Sequence, residues 1–337
     1  MKIAVVGATG LVGSKMLQVL DEQKVRFDEI IVAASEKSVG KEIIFQGKAH
    51  QVVRVEDAIE ACPDIAIFSA GASASKQYAP LFAAKGTYVI DNSSAWRMNP
   101  EVPLVVPEIN PDTITKDTHI IANPNCSTIQ MVLALHPLHR AFDIKRLVIA
   151  TYQSVSGSGV KGISQLDREE SHATSNLLPL TSHLPNAYPH QIYRNVLPHG
   201  GDFCENGYTT EEEKLVNETR KILRAPQIAV TATVCRVPVT GGHSEAVNVE
   251  FNKPFELDEV RRLLEQQPGV VVQDDPTHNL YPMAITSYDK DEVFVGRIRR
   301  DYSIANGLNL WVVSDNIRKG AATNAVQIAQ YVIEHIL

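Results

Sequence analysis

A strand, a glycine-rich turn and a helix in immediate succession constrain the fold of this chain more than any other feature in it. Lys2-Ile3-Ala4-Val5-Val6 is a short apolar run. Gly7-Ala8-Thr9-Gly10-Leu11-Val12-Gly13 follows without a gap, and a helical pattern continues to about Leu20. That order reads as a βα unit with a tight connection. Gly7 permits the turn, Gly10 lets backbone approach a pyrophosphate, and Gly13 allows the helix to close on the strand. The helix N-terminus then offers an anion site. The spacing is GxxGxxG rather than the commoner GxGxxG, so the motif draws its force from its place after the first strand. Gly7, Thr9, Gly10, Leu11, Val12 and Gly13 are the candidate cofactor contacts of this turn.

The second strand, Glu29 to Ala34, ends in Ser35-Glu36-Lys37-Ser38. Ser35, Lys37 and Ser38 suit a 2′-phosphate and favour NADP, whereas Glu36 suits an unmodified 2′-hydroxyl. Further strands are expected at Val52–Val55, Ile65–Ser69 and Thr87–Asp91, with helices between the later ones. This alternation predicts a doubly wound, mainly parallel sheet. Gly71 follows a strand end, where such sheets bind ligands.

A second informative stretch is Ile120-Ile121-Ala122-Asn123-Pro124-Asn125-Cys126-Ser127-Thr128, which leads into the helical pattern Ile129 to Leu135. The break at Pro124 and the cap-type residues Asn125 and Ser127 place Cys126 at a helix start. There the helix dipole favours the thiolate, a nucleophile, and the backbone N–H groups suit an oxyanion beside it. A buried, inert cysteine is the competing reading for Cys126 taken alone. Arg97 follows another strand end and has a planar fork suited to an anionic substrate group.

From Leu147 the pattern changes. Strands are expected at Leu147–Val155, Ala229–Val234, Glu245–Phe251, Val293–Ile298 and Leu308–Val313, with few helices between the later ones. That predicts an α+β domain with a mixed sheet. The stretch 171–203 is rich in Pro, Asn and His and reads as irregular, its histidines as solvated. Neither these nor the pair His136 and His139 has metal-ligand spacing, and no metal is expected. Thr210 with Glu213 reads as a capping box, and Glu211 and Lys214 share a helix face. Arg236 and His243 flank a Pro and a Gly-Gly turn, which brings them near each other and makes His243 a candidate acid–base.

A net charge of −7 argues against nucleic acid or an anionic membrane as partner. The opening residues read as a strand and not as a secretory leader, and no apolar run is long enough to span a bilayer. The four cysteines lack CxxC spacing, which fits a reducing cytoplasm.

Taken together, Gly7 to Gly13, Asn123 to Thr128, Tyr152-Gln153 to Gly157, Gly207-Tyr208 to Lys214, Arg236 to Glu245 and Asp315 to Ala322 make the chain resemble the bacterial aspartate-semialdehyde dehydrogenases over essentially its whole length. The resemblance implies a Rossmann-type domain of residues 1–125 with 316–337 and a catalytic and dimerisation domain of residues 126–315. It implies NADP-dependent, phosphate-requiring chemistry on L-aspartate 4-semialdehyde through a thioester, in the biosynthesis of lysine, threonine and methionine. On it, Cys126 is the nucleophile and His243 the acid–base. Asn125, Gln153, Glu211 and Arg236 hold the amino-acid portion, with Arg236 on the α-carboxylate and Glu211 on the ammonium. Arg97 and Lys214 bind phosphate, and Lys37, Ser38, Ser156, Gly157 and Asn316 meet the cofactor. A homodimer is implied, or two dimers paired as a tetramer. Lys37 stands where the family commonly has arginine. The alternatives are an N-acetyl-glutamyl-phosphate reductase, which shares the architecture, and a non-catalytic dinucleotide-binding paralogue.

Overall fold

The first strand, β1 (Lys2–Val6), is buried along almost its whole length, as an apolar run with parallel neighbours and covered faces should be. The computed structural model describes residues 1–175 and 186–337. The chain forms two compact units. One holds Met1–Cys126, Lys221–Leu223 and Gly320–Leu337; the other holds Ser127–Arg220 and Arg224–Lys319.

In the first unit β1 is followed by α1 (Leu11–Glu22), β2 (Glu29–Ala33), the hairpin β3 (Glu42–Phe45) and β4 (Lys48–Gln51), and α2 (Val55–Glu60). Then come β5 (Ile65–Phe68), α3 (Ala72–Ala84), β6 (Tyr88–Asp91) and β7 (Ile120–Ala122). The main sheet has the order β2-β1-β5-β6-β7 and is parallel throughout. The strand order reverses at β1, between β2 and β5, which is where open α/β sheets bind ligands. Gly7 sits there with φ +86°, and a Cβ on it would lie 2.4 Å from the Ser69 carbonyl oxygen. A Cβ on Gly13 would lie 2.1 Å from the Gly7 carbonyl oxygen, so only glycine lets α1 seat against the turn.

Successive strand residues face opposite layers. Ile3, Val5, Ile65 and Ile67 pack with Met16 and Leu20 of α1 and with Val326 and Ala329 of the C-terminal helix Thr323–His335. Ala4, Val6, Ala66 and Phe68 pack on the other side with Ala58, Ala79 and Phe82. Full burial of a side chain such as Phe82 contributes about 1.5–3 kcal/mol. The strand expected at Val52–Val55 is absent. Val53 makes a single bridge to Ala33, and Val55 opens α2 with Glu56 and Asp57 in its first turn. Three valines around Arg54 do not distinguish strand from helix, and acidic residues favour a helix start.

The helix α4 (Cys126–Phe142) leads into the second unit. It is followed by β8 (Ile144–Gln153), α5 (Gly159–Ser175), α6 (Thr210–Ile222), β9 (Ala229–Arg236), β10 (His243–Phe251), α7 (Leu257–Glu265), β11 (Val270–Val272), α8 (Ala284–Ser287), β12 (Val293–Asp301) and β13 (Gly307–Ser314). The sheet order is β11-β12-β13-β10-β8-β9. β8–β9 and β11–β12 are parallel and the other pairs antiparallel, so the sheet is mixed. β10 lies inside it, between β13 and β8. The fold is therefore the expected α/β pairing of a parallel-sheet domain with a mixed-sheet domain.

Three local expectations need correction. The strand expected at Leu147–Val155 starts at Ile144 and ends at Gln153, and Val155–Ser158 forms a 3-10 turn. Of the stretch 171–203, residues up to Ser175 belong to α5, and residues 176–185, with His183, lie outside the described residues. The capping box is one residue earlier than expected. The Thr209 N–H donates to Glu212 Oε2 at 2.6 Å and the Glu212 N–H to Thr209 Oγ1 at 3.4 Å, while Glu213 accepts from Asn206 and Asn217.

Candidate active site

Within the first unit, Cys126 is the first residue of α4 and its thiol is partly exposed. Asn125 before it is buried. Arg97 is buried and held by backbone. Its Nε donates to the Asn123 carbonyl and its Nη2 to the Asn92 carbonyl, each at 2.9 Å. These carbonyls follow β7 and β6, so two strand ends orient one guanidinium. Lys221 Nζ donates to the carbonyls of Arg97, Asn99 and Val102 at 2.7–2.8 Å and ties down the same segment. No local pattern points to Lys221, because its partners lie more than a hundred residues away. Burial raises the Asp91 carboxyl above its usual range, against the pull of Ser93 and nearby Arg97.

A cavity of about 460 Å³ opens beside the Gly7 turn, with Ser35, Glu36, Lys37, Glu56 and Tyr78 in its wall. Its size is that of a small-ligand site. Thr9 Oγ1 lies 3.4 Å from Ser38 Oγ, linking the glycine turn to the residues after β2. Gly10 caps α1, whose first residues are Leu11 and Val12, and Gly71 caps α3 with φ +82°. Tyr78 donates to Glu56 Oε1 at 2.8 Å; neither residue stood out in the sequence.

Within the second unit, His243 begins β10 and is fully buried. The Ser154 N–H donates to its Nδ1 at 3.1 Å. A backbone N–H is always a donor, so Nδ1 is the unprotonated nitrogen and the neutral ring carries its proton on Nε2. Ser154 Oγ lies 2.9 Å from the same Nδ1 and donates to Asn316 Oδ1 at 2.9 Å. Asn316 Nδ2 in turn donates to Ser156 Oγ at 3.0 Å. His243 Nε2 has no hydrogen-bond partner among the described residues. Burial, and then the neighbouring Arg236 charge, lower the imidazole to about 3, against the opposing pull of Glu211.

Arg236 ends β9, is buried, and has Nη1 at 3.4 Å from the Ser154 carbonyl oxygen. On the first turn of α6, Lys214 Nζ meets Glu211 Oε2 at 2.7 Å. Gln153 ends β8 and its Nε2 donates to Ser127 Oγ at 2.9 Å. The second unit thus gathers a cation and an anion about His243, a pair complementary to an α-ammonium carboxylate. Gly157 borders this group. A Cβ on it would lie 2.6 Å from Arg236 Nη1 and 3.2 Å from His243 Nε2. The expected result for Gly157→Ala is a folded protein whose kcat/KM falls about 10- to 100-fold, because reacting groups tolerate little displacement. Initial rates with circular dichroism beside them check this.

The match to known proteins decides the family. The chain is 50% identical over 339 residues to the aspartate-semialdehyde dehydrogenase of Aquifex aeolicus, covering 99% of this chain and 98% of the relative. The chain belongs to the aspartate-semialdehyde dehydrogenase family. It is 43% identical over 336 residues to the Bacillus subtilis member, with 97% and 96% of the two chains covered. The crystal structure of aspartate semialdehyde dehydrogenase II from Vibrio cholerae superposes with a TM-score of 0.95 at 44% identity, over 100% of this chain and 99% of that one. A further structure of that protein is complexed with ASA. The family model described as semialdehyde dehydrogenase, NAD binding domain matches residues 2–117. That described as semialdehyde dehydrogenase, dimerisation domain matches residues 135–319. No helix among the described residues of this family member is long and apolar enough to cross a membrane.

Proposed function

We propose that the chain catalyses the reversible, NADP-dependent reductive dephosphorylation of 4-phospho-L-aspartate to L-aspartate 4-semialdehyde through an acyl-thioester on Cys126. The observation that carries this reading is the set of complementary charges about His243: Arg236 for an α-carboxylate, Glu211 for an α-ammonium, and Lys214 beside Glu211. In the oxidative direction the Cys126 thiolate adds to the aldehyde carbon and forms a hemithioacetal. His243 Nε2–H gives its proton to the oxygen as the adduct forms, and the same nitrogen takes it back as the hydride leaves. Bound NADP supplies the two-electron chemistry, accepting the hydride that leaves the adduct. The carbonyl reforms as a thioester. Phosphate held by Arg97 and Lys214 then attacks this carbon, the C–S bond breaks, and the acyl phosphate leaves with Cys126 again a thiolate. Dividing the acyl transfer in this way lowers both barriers.

Asn125 and Gln153 would complete the hold on the amino acid. The cofactor fits the first unit: the cavity of about 460 Å³ beside the Gly7 turn is lined by Ser35 and Lys37, with Glu36 sharing its wall. Gly7, Thr9, Gly10, Leu11, Val12 and Gly13 would cradle the pyrophosphate, with Ser38 and Gly71 beside them. Ser156, Gly157 and Asn316 would also contact the cofactor. On the same reading the enzyme is a cytoplasmic homodimer formed through the second unit, with a tetramer as the higher assembly.

The test is the initial rate of cofactor reduction at the nicotinamide absorbance with L-aspartate 4-semialdehyde, with and without phosphate, NADP and NAD being run side by side. Strictly phosphate-dependent turnover with NADP preferred is expected. No turnover, or turnover of N-acetyl-glutamate semialdehyde in its place, overturns the reading.

A further inference from the structure

Glu245 is the second residue after His243 on β10, so both project to the same face of the sheet. It is fully buried, and neither carboxyl oxygen has a hydrogen-bond partner among the described residues. Ser127 and Gln130, from the first turns of α4, lie near enough to the carboxyl to pull against the effect of its burial. Thr151 faces Glu245 directly across the β10–β8 pair, and Gln153 lies two residues further along β8 on the same face. The side-chain oxygens of Thr151, Gln130 and Gln153 are buried without partners as well. The Gln amide oxygens can only accept. No basic side chain among the described residues pairs with Glu245. A carboxylate in such a place would be fully buried beside amide oxygens and would have no counter-charge, which is very costly in a dry interior even with Ser127 and Gln130 close by. A carboxylic acid has an O–H to offer the unpartnered Gln130 and Gln153 amide oxygens, which a carboxylate has not. Burial holds the Glu245 carboxyl well above the usual carboxylate range, in keeping with the geometry.

Two contacts connect this group to the reacting residues. Gln130 Nε2 donates to the His243 carbonyl oxygen at 3.3 Å. Gln153 Nε2 donates to Ser127 Oγ, one residue after Cys126. We propose that Glu245 is a positioning residue that acts as a neutral carboxylic acid, its O–H fixing Gln130 and the start of α4 so that the helix turn bearing Cys126 and the strand end bearing His243 keep their reactive placement. The proposal rests on the thioester reading of Cys126. It adds a donor behind the nucleophile that touches neither substrate nor cofactor.

The experiment compares Glu245→Gln and Glu245→Ala in the full-length enzyme by steady-state kinetics, with infrared difference spectra at neutral pH. Glu245→Gln keeps an N–H donor in the same volume. Its kcat is expected within about threefold of wild type, the worth of one exchanged hydrogen bond. Glu245→Ala is expected to lower kcat about 10- to 100-fold, the usual effect of a small misplacement, with KM for the semialdehyde nearly unchanged. The wild-type spectrum should show the carbonyl stretch of a protonated carboxylic acid, which Glu245→Gln removes. A Glu245→Ala enzyme with wild-type kcat, a Glu245→Gln enzyme as impaired as the alanine variant, or the absence of that band overturns the proposal. The spectrum decides even if Glu245→Ala does not fold. It is also independent of Cys126, so failure of the thioester reading shows up separately as turnover by Cys126→Ala.

Discussion

Cys126→Ala is expected to abolish turnover, with kcat reduced by about 10⁵-fold or more, the scale seen when an enzyme loses its only nucleophile. Cofactor binding should survive, because the Gly7 turn and the cavity beside it do not involve Cys126. Stability should change by less than about 1 kcal/mol, since the thiol is partly exposed and its removal leaves little void. Cys126→Ser tests the same point more finely. Its oxygen occupies the same place at the start of α4, but a hydroxyl stays protonated where a thiol ionises, so the serine enzyme should remain nearly inactive. Fluorescence titration with the cofactor, beside initial rates, separates loss of chemistry from loss of fold. Activity within tenfold of wild type in either variant, an order-of-magnitude margin of about 1.4 kcal/mol, would contradict a covalent role.

The second large effect is expected at His243. Removing a positioned acid–base lowers the rate by about 10²–10⁴-fold. His243→Ala should lose that much in kcat and little in KM, because Arg236 and Glu211 remain to hold the substrate. It should also be less stable by about 1–3 kcal/mol, because the buried Ser154 N–H loses its acceptor. His243→Asn offers an acceptor oxygen to that N–H and should recover part of the stability without the activity. A pH dependence accompanies this. The folded imidazole titrates near 3, below its ordinary 6.5, so between these values the unfolded chain binds a proton that the folded one refuses. The His243 contribution to stability is therefore complete above about pH 6.5 and declines as pH falls towards 3. Urea midpoints across that window should fall less steeply for His243→Asn than for wild type.

The elements that could be read from the sequence are those whose cause is local. The Gly7 to Gly13 turn is set by backbone crowding within one βα unit, and Cys126 begins a helix because Pro124 and Asn125 stop the strand before it. Arg236 and His243 could be paired because a short Gly-Gly turn joins their strands. The misread elements are those settled by distant partners. Val55 opens a helix although it follows a valine-rich stretch, and the capping box falls on Thr209 and Glu212 although Thr210 and Glu213 have the same spacing. The choice between these pairs is fixed by Glu212 Oε1, which also accepts from the Val234 N–H on β9 at 2.9 Å. Ser154 has no role of its own in the stretch that holds it, and Lys221 lies in no motif. Their importance arises from what the fold brings to them, an imidazole nitrogen and three carbonyls, and Glu245 matters for the same reason.

The measurement that tests the covalent mechanism most directly is peptide mapping by mass spectrometry after incubation with L-aspartate 4-semialdehyde and NADP in the absence of phosphate. The expected result is an aspartyl adduct on the peptide containing Cys126, discharged on addition of phosphate. An adduct on Cys62, Cys204 or Cys235, or full turnover with no adduct on Cys126, would contradict it.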